Sequence, residues 1–70
     1  MNEWISARAR ALGVDDLEPE EIATLLDLAG HAAHESGART NAPLLCYLLG
    51  RARPGVASLG ELDEIVRSTS

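Results

Sequence analysis

A chain of 70 residues with a single cysteine has few means of stabilising a fold. A domain of this size buries only about 60% of the surface that its unfolded chain exposes, so almost all of its apolar side chains are needed for one core. Cys46 has no second cysteine with which to form an intramolecular disulfide or a thiolate metal site. We therefore expect a single domain over residues 1–70, without room for a deep catalytic cleft.

The composition favours helices over strands. Eleven Ala and eleven Leu residues lead the helix-forming scale, while Phe is absent and β-branched residues are scarce. These frequencies predict an all-α fold.

The charge and hydropathy of the chain exclude several classes of partner. Eleven acidic residues against six arginines, with no lysine, give a net charge of -5. An acidic chain is a poor ligand for nucleic acid and for anionic membrane surfaces. No stretch approaches the roughly 18 apolar residues of a membrane span, and no secretory signal is evident. We expect a soluble, cytoplasmic protein.

Caps and apolar periodicity predict four short helices. They are residues 3–12 between Asn2 and Gly13, a helix from Pro19 to a stop at Gly37, residues 42–52 after a cap at Thr40 or Asn41, and a last helix that begins with a Ser58–Glu61 capping box and frays at residues 68–70. Short connections between consecutive helices favour a compact antiparallel bundle.

Helix three has an unbroken apolar run from Leu44 to Leu49. A helix that is apolar on all sides is typical of one that is buried on most sides, either by its neighbours or by a second copy of the chain. We therefore place helix three at the centre of the bundle and keep a homodimer as an open alternative. Gly30, inside helix two, predicts a close approach by another helix or a bend at that point.

A polar set on helix two and the following loop is the main candidate site. Asp27, His31 and His34 follow one another at i, i+4 and i+7 and share one helix face. Two imidazoles and a carboxylate can bind a divalent metal, although the sequence near His31 and His34 offers no further strong ligand. The alternative is that the two histidines are surface residues near the end of the helix, where the helix dipole favours them. Arg39 in the loop can hold a carboxylate or phosphate, or bind the last carbonyls of helix two.

Other reactive residues have simpler interpretations. Cys46 lies among leucines and is expected to be a buried small hydrophobe. Ser58 differs from the modified serine of acyl carrier proteins, because it opens the last helix and follows Ala57. Trp4 is expected to cover the core or to anchor an interface. Since no nucleophile with an activating base is visible, we expect neither an enzyme nor a bound cofactor.

Several motifs together resemble a known family. They are Leu25-Leu26-Asp27-Leu28-Ala29, Ala33-His34, Ala42-Pro43-Leu44 and Tyr47-Leu48-Leu49-Gly50, with Trp4 and Leu12-Gly13 upstream. The chain resembles a small helical domain of unassigned function from high-GC bacteria, which occurs alone or fused to molybdenum cofactor guanylyltransferase. The resemblance implies an accessory or interaction domain in molybdenum cofactor maturation.

These observations predict a non-catalytic module that binds a protein partner, with the guanylyltransferase as the implied candidate. The predicted contact residues are Asp27, His31, His34 and Arg39. The alternative is a helical domain that binds a small ligand or a divalent metal through Asp27, His31 and His34.

Overall fold

Four α-helices form the fold in the computed structural model, which describes residues 2–69. They are α1 (Glu3–Leu12), α2 (Pro19–Ser36), α3 (Asn41–Ala52) and α4 (Leu59–Ser68), with a 3-10 turn at Arg53–Gly55. The described part contains no strand, so the predicted all-α class and the four helices are confirmed. None of these helices has the length and apolar character needed to cross a membrane. The last helix was predicted to fray at residues 68–70. Ser68 is still helical, and Ser70 lies outside the described residues.

The ends of α1 and α2 follow local sequence signals. The Asn2 side chain accepts a hydrogen bond from the Ile5 N–H at 3.1 Å and caps α1. Gly13 and Gly37 close the two helices in the left-handed conformation, both with φ of 73°. Glu21 Oε1 accepts from the Glu18 N–H at 2.9 Å, which satisfies a donor at the start of α2.

The starts of α3 and α4 differ from their predicted caps. Thr40 and Ser58 occupy the N-cap positions, but neither side chain makes a capping hydrogen bond. Glu61 Oε2 instead accepts from the Ala57 N–H at 2.7 Å, one residue before the expected donor. The predicted Ser58–Glu61 capping box is therefore wrong, although Glu61 still satisfies a backbone donor ahead of α4.

The core lies between α2, α3 and α4. Leu28 of α2 is fully buried, and Leu49, Leu59 and Leu62 pack around it. The most extensive contact joins α2 to α3, and α4 packs against both. The bundle measures only 18 Å across its shortest axis, which leaves depth for about two layers of helices. Few residues can be enclosed on all sides at this thickness.

Helix α1 lies at the margin of this core. Ala9 is its buried residue, and α1 shares less contact with the other helices than they share with one another. Trp4 is exposed and carries the Arg8 guanidinium 3.9 Å from its ring centroid, so it does not cover the core. Ser6 Oγ donates to Asp16 Oδ2 at 2.5 Å and ties α1 to the loop that follows it.

Helix α3 packs against α2 and α4, but it is not buried on most sides within one chain. Leu44, Tyr47 and Leu48 are 61%, 69% and 56% exposed, and Arg51 is also exposed. We refer to Leu44, Tyr47, Leu48 and Arg51 as the outer stripe of α3. This helix was expected to be buried either by its neighbours or by a second copy of the chain, and the neighbouring helices do not cover the outer stripe.

The close approach of another helix that was predicted at Gly30 is wrong. No atom lies within 4 Å of the place that a β-carbon would occupy, so no helix of the described chain approaches closely there. The residue lies in the uninterrupted helix α2 and is exposed to solvent.

Candidate functional site

Asp27 forms part of an ion-pair network between α2 and α4. Arg67 Nη2 donates to Asp27 Oδ2 at 2.6 Å, and Arg67 Nε donates to Asp63 one turn earlier on α4. The hydrogen bond that Arg67 donates to Asp63 is the main cause that raises the pKa of Arg67 above its usual value, and the negative charges of Asp63 and Asp27 contribute further. Asp27 therefore holds the end of α4 against α2, a role that the sequence pattern did not reveal.

His31 lies one turn further along α2 and is much less exposed than Asp27. Its side chain is 22% exposed, against 74% for Asp27, and His31 Nε2 lies 3.4 Å from Glu35 Oε2. The two residues are four apart on one helix face, where opposite charges attract when the imidazole is protonated. His31 and Glu35 together provide a polar edge to the groove described below.

His34 and Arg39 are both exposed, at the end of α2 and in the following loop. Within residues 2–69, neither side chain is hydrogen-bonded to another group. The end of α2 is held instead by Gly37, whose N–H donates to the Ala33 carbonyl, and by Ser36 Oγ, which donates to the Ala32 carbonyl at 2.6 Å. The structural role considered for Arg39 is thus filled by neighbouring residues.

The predicted polar set does not form one cluster. Asp27 pairs with Arg67, His31 faces Glu35, and His34 and Arg39 project from the outside of the helix and loop. Across the described residues, no group of three or more His, Cys, Asp or Glu side chains is arranged to hold a metal ion. Of the four predicted contact residues, only His31 lines an apolar groove on the surface of the described chain.

That groove is an open apolar depression of about 560 Å³ between α2, α3 and α4. Leu44 and Leu48 of α3 form one wall and Ile65 of α4 forms the opposite wall, while His31 and Glu35 contribute polar atoms from α2. Leu44, Leu48 and Ile65 are each more than half exposed. The arrangement offers apolar surface for an inserted side chain and a carboxylate beside it.

The groove residues were only partly visible in the sequence. The apolar run of α3 is evident in the sequence, whereas nothing in the sequence singles out Ile65 of α4, which is 57% exposed. Cys46 of α3 is expected to be buried, and in the structure it is half-buried. A groove depends on how far two helices diverge, which periodicity within each helix does not report.

A family model for a domain of unknown function, DUF6457, matches residues 1–69. The chain belongs to the DUF6457 family. The match extends over nearly all of the domain, so the groove and the predicted contact residues all lie inside the DUF6457 region. Comparison with curated proteins and with solved structures gives no match.

Proposed function

We propose that this DUF6457 domain is a non-catalytic interaction module that binds a segment of a protein partner in the groove between α2, α3 and α4. The observation that carries the proposal is the groove itself, with exposed Leu44, Leu48 and Ile65 beside the His31–Glu35 pair. Contiguous exposed apolar surface with a polar rim is typical of interaction sites. An amphipathic helix laid into such a groove would bury these three side chains.

The chemistry of the groove favours a partner segment that combines apolar and basic residues. Leucine and isoleucine walls accept an apolar anchor, and the Glu35 carboxylate favours a cationic neighbour. The net charge of -5 on the whole chain attracts a basic surface at longer range. His34 and Arg39, exposed beyond the end of the groove, provide additional polar contacts in this proposal.

The proposed partner is molybdenum cofactor guanylyltransferase, and the proposed location is the cytoplasm. The support is the family resemblance of the motifs at Asp27, His34 and Ala42-Pro43-Leu44, together with a surface suited to binding a protein segment. The fusion of similar domains to that enzyme is an association and assigns no chemistry to this chain. The domain contributes contact in this proposal, and the enzyme contributes catalysis.

Calorimetric titration of the domain with purified guanylyltransferase tests the proposal. We expect micromolar binding that Ile65→Glu weakens at least about tenfold, because a buried charge would replace an apolar wall. Leu26→Glu is the matched control: Leu26 is 68% exposed on α2 and does not line the groove. His34→Ala and Arg39→Ala are expected to weaken binding by smaller factors.

Two results would contradict the proposal. One is the absence of binding heat and of co-purification at about 100 μM enzyme, well above the expected dissociation constant. The other is an equal loss of affinity in Ile65→Glu and Leu26→Glu, which would place the contact outside the groove. Far-UV circular dichroism of each variant establishes that its helices are intact.

Binding of a small apolar molecule is the second candidate function, since a volume of about 560 Å³ lies in the usual range of ligand sites. Within the earlier alternative set of Asp27, His31 and His34, only His31 can contact such a ligand from the groove wall. A zinc titration tests the metal-binding form of this alternative. Binding heat that is lost in His34→Ala would support metal binding, and no binding heat with the original chain would oppose it.

A further inference from the structure

The folded chain exposes more surface than its mass requires. Its accessible surface is 5383 Å², whereas a folded monomer of this mass typically exposes about 4,200 Å². The excess of about 1,200 Å² is larger than the roughly 800 Å² that each partner buries in a standard interface. The excess belongs to the whole chain, and exposed apolar side chains such as Trp4, Leu12, Leu26 and Tyr47 contribute to it.

The outer stripe of α3 is the exposed apolar surface with the least negative charge. Arg51 is the only charged residue between Asn41 and Ala52, whereas each of the other three helices carries at least one acidic residue. Two chains of net charge -5 repel each other over most approaches. At α3 they can meet without bringing carboxylates of that helix together.

The stripe also carries residue types that are enriched at interface hot spots. Tyr47 is 69% exposed, and the Arg51 guanidinium lies 5.9 Å from the centroid of its ring. Stacking of this kind orders a long arginine side chain before contact, which lowers the entropy lost on binding. Tyr and Arg are prominent among residues that dominate interface energies.

We propose that the outer stripe of α3 is the interface of a two-fold symmetric homodimer, in which the α3 helices of two copies pack antiparallel. An axis between Tyr47 and Leu48 makes the contact self-complementary, as a two-fold interface requires. Tyr47 of one copy then packs on Leu48 of the other, and Arg51 packs beside Leu44. Leu44 shares its groove with Glu35, which supplies a carboxylate for the Arg51 of the second copy.

This inference goes beyond the proposed function and uses a surface that overlaps the groove in part. Tyr47 and Arg51 do not line the groove, and Ile65 lies on α4 across from the stripe. Leu44, Leu48 and Glu35 belong to both surfaces, so Tyr47→Glu is the decisive variant for the dimer and Ile65→Glu is the decisive variant for partner binding.

Sedimentation equilibrium of the 70-residue chain tests the dimer. We expect the weight-average mass to rise with concentration from the 7.4 kDa monomer towards twice that value. Tyr47→Glu is expected to weaken self-association at least about tenfold, because it places a carboxylate on the two-fold axis. Leu26→Glu adds the same charge at a similarly exposed apolar position on α2 and should change the association by less than about twofold.

A charge exchange tests the antiparallel register. Arg51→Glu and Glu35→Arg should each weaken the dimer, and the double variant should restore it to within about threefold of the original chain. Ile65→Glu should leave self-association unchanged while it weakens partner binding. If circular dichroism shows that Tyr47→Glu does not fold, Arg51→Glu replaces it as the test of the dimer.

Three outcomes would overturn the dimer. They are a chain that stays monomeric at about 1 mM, equal weakening by Tyr47→Glu and Leu26→Glu, and a double variant no better associated than its single parents. A monomeric chain whose groove still binds the guanylyltransferase would refute the dimer and leave the proposed function intact.

Discussion

Gly30 and Gly37 lie seven residues apart, inside and just after α2, and make opposite demands on the backbone. Gly30 has helical geometry with open space around it, while Gly37 has φ of 73°, where a β-carbon is strained. We expect Gly30→Ala to raise the free energy of unfolding by about 0.5–1 kcal/mol and Gly37→Ala to lower it by about 1 kcal/mol. Urea unfolding of both variants measures the difference. A loss of stability in Gly30→Ala would show that Gly30 has a role that the fold does not explain, and a gain in Gly37→Ala would contradict the strain expected at that position.

The Asp16 carboxylate depends on a hydrogen bond from α1. Donation by the Ser6 hydroxyl, and secondarily by the Leu17 N–H, lowers the pKa of Asp16 below its ordinary value of 3.8. Stability from this bond is therefore complete above about pH 4 and is lost as pH falls through the lowered folded pKa. We expect Ser6→Ala to raise the Asp16 pKa, as measured by NMR titration of the carboxyl carbon. Ser36→Ala removes a hydroxyl at the far end of α2 and should leave that titration unchanged.

At the scale of helices, the boundaries were predictable and the environment of α3 was not. The residues that begin and end α1 and α2 act through neighbouring backbone groups, so the sequence alone locates these helix ends. They are Asn2, Gly13, Pro19 and Gly37. The apolar run of α3 shows that the helix avoids water, but it does not show which helices cover it. In a bundle only 18 Å thick, α2 and α4 cover one side and leave the outer stripe exposed.

Helix α1 is expected to open more readily than the other three helices. Its buried contribution is Ala9, and its contacts with the remaining helices are sparse. Local opening requires less free energy where few apolar contacts are broken. Native-state hydrogen exchange should therefore show lower protection for α1 amides than for those around Leu28 and Leu49. Equal protection of α1 and α2 would indicate that the two helices unfold as one cooperative unit.

At the scale of the whole molecule, the candidate site depends on contacts between residues far apart in sequence. Asp27 and Arg67 are separated by 40 positions, and the groove requires α4 to diverge from α3. Helical spacing grouped Asp27, His31 and His34 on one face, whereas in the structure His31 lies beside Glu35 and Asp27 pairs with Arg67. Only the packing of α4 shows that Asp27 is already engaged by an arginine of the same chain.

The position of the core predicts that mutations of two nearby leucines of α2 lower the free energy of unfolding by different amounts. Leu28 is fully buried, whereas Leu26, two residues away on the same helix, is 68% exposed. Leu28→Ala should cost about 3 kcal/mol, a large share of the roughly 4–10 kcal/mol expected for a chain of this length. Leu26→Ala should cost less than about 0.5 kcal/mol. Both are measured by urea unfolding at one fixed protein concentration, because self-association would add a concentration-dependent contribution. Similar losses in the two variants would mean that α2 presents a different face to the core.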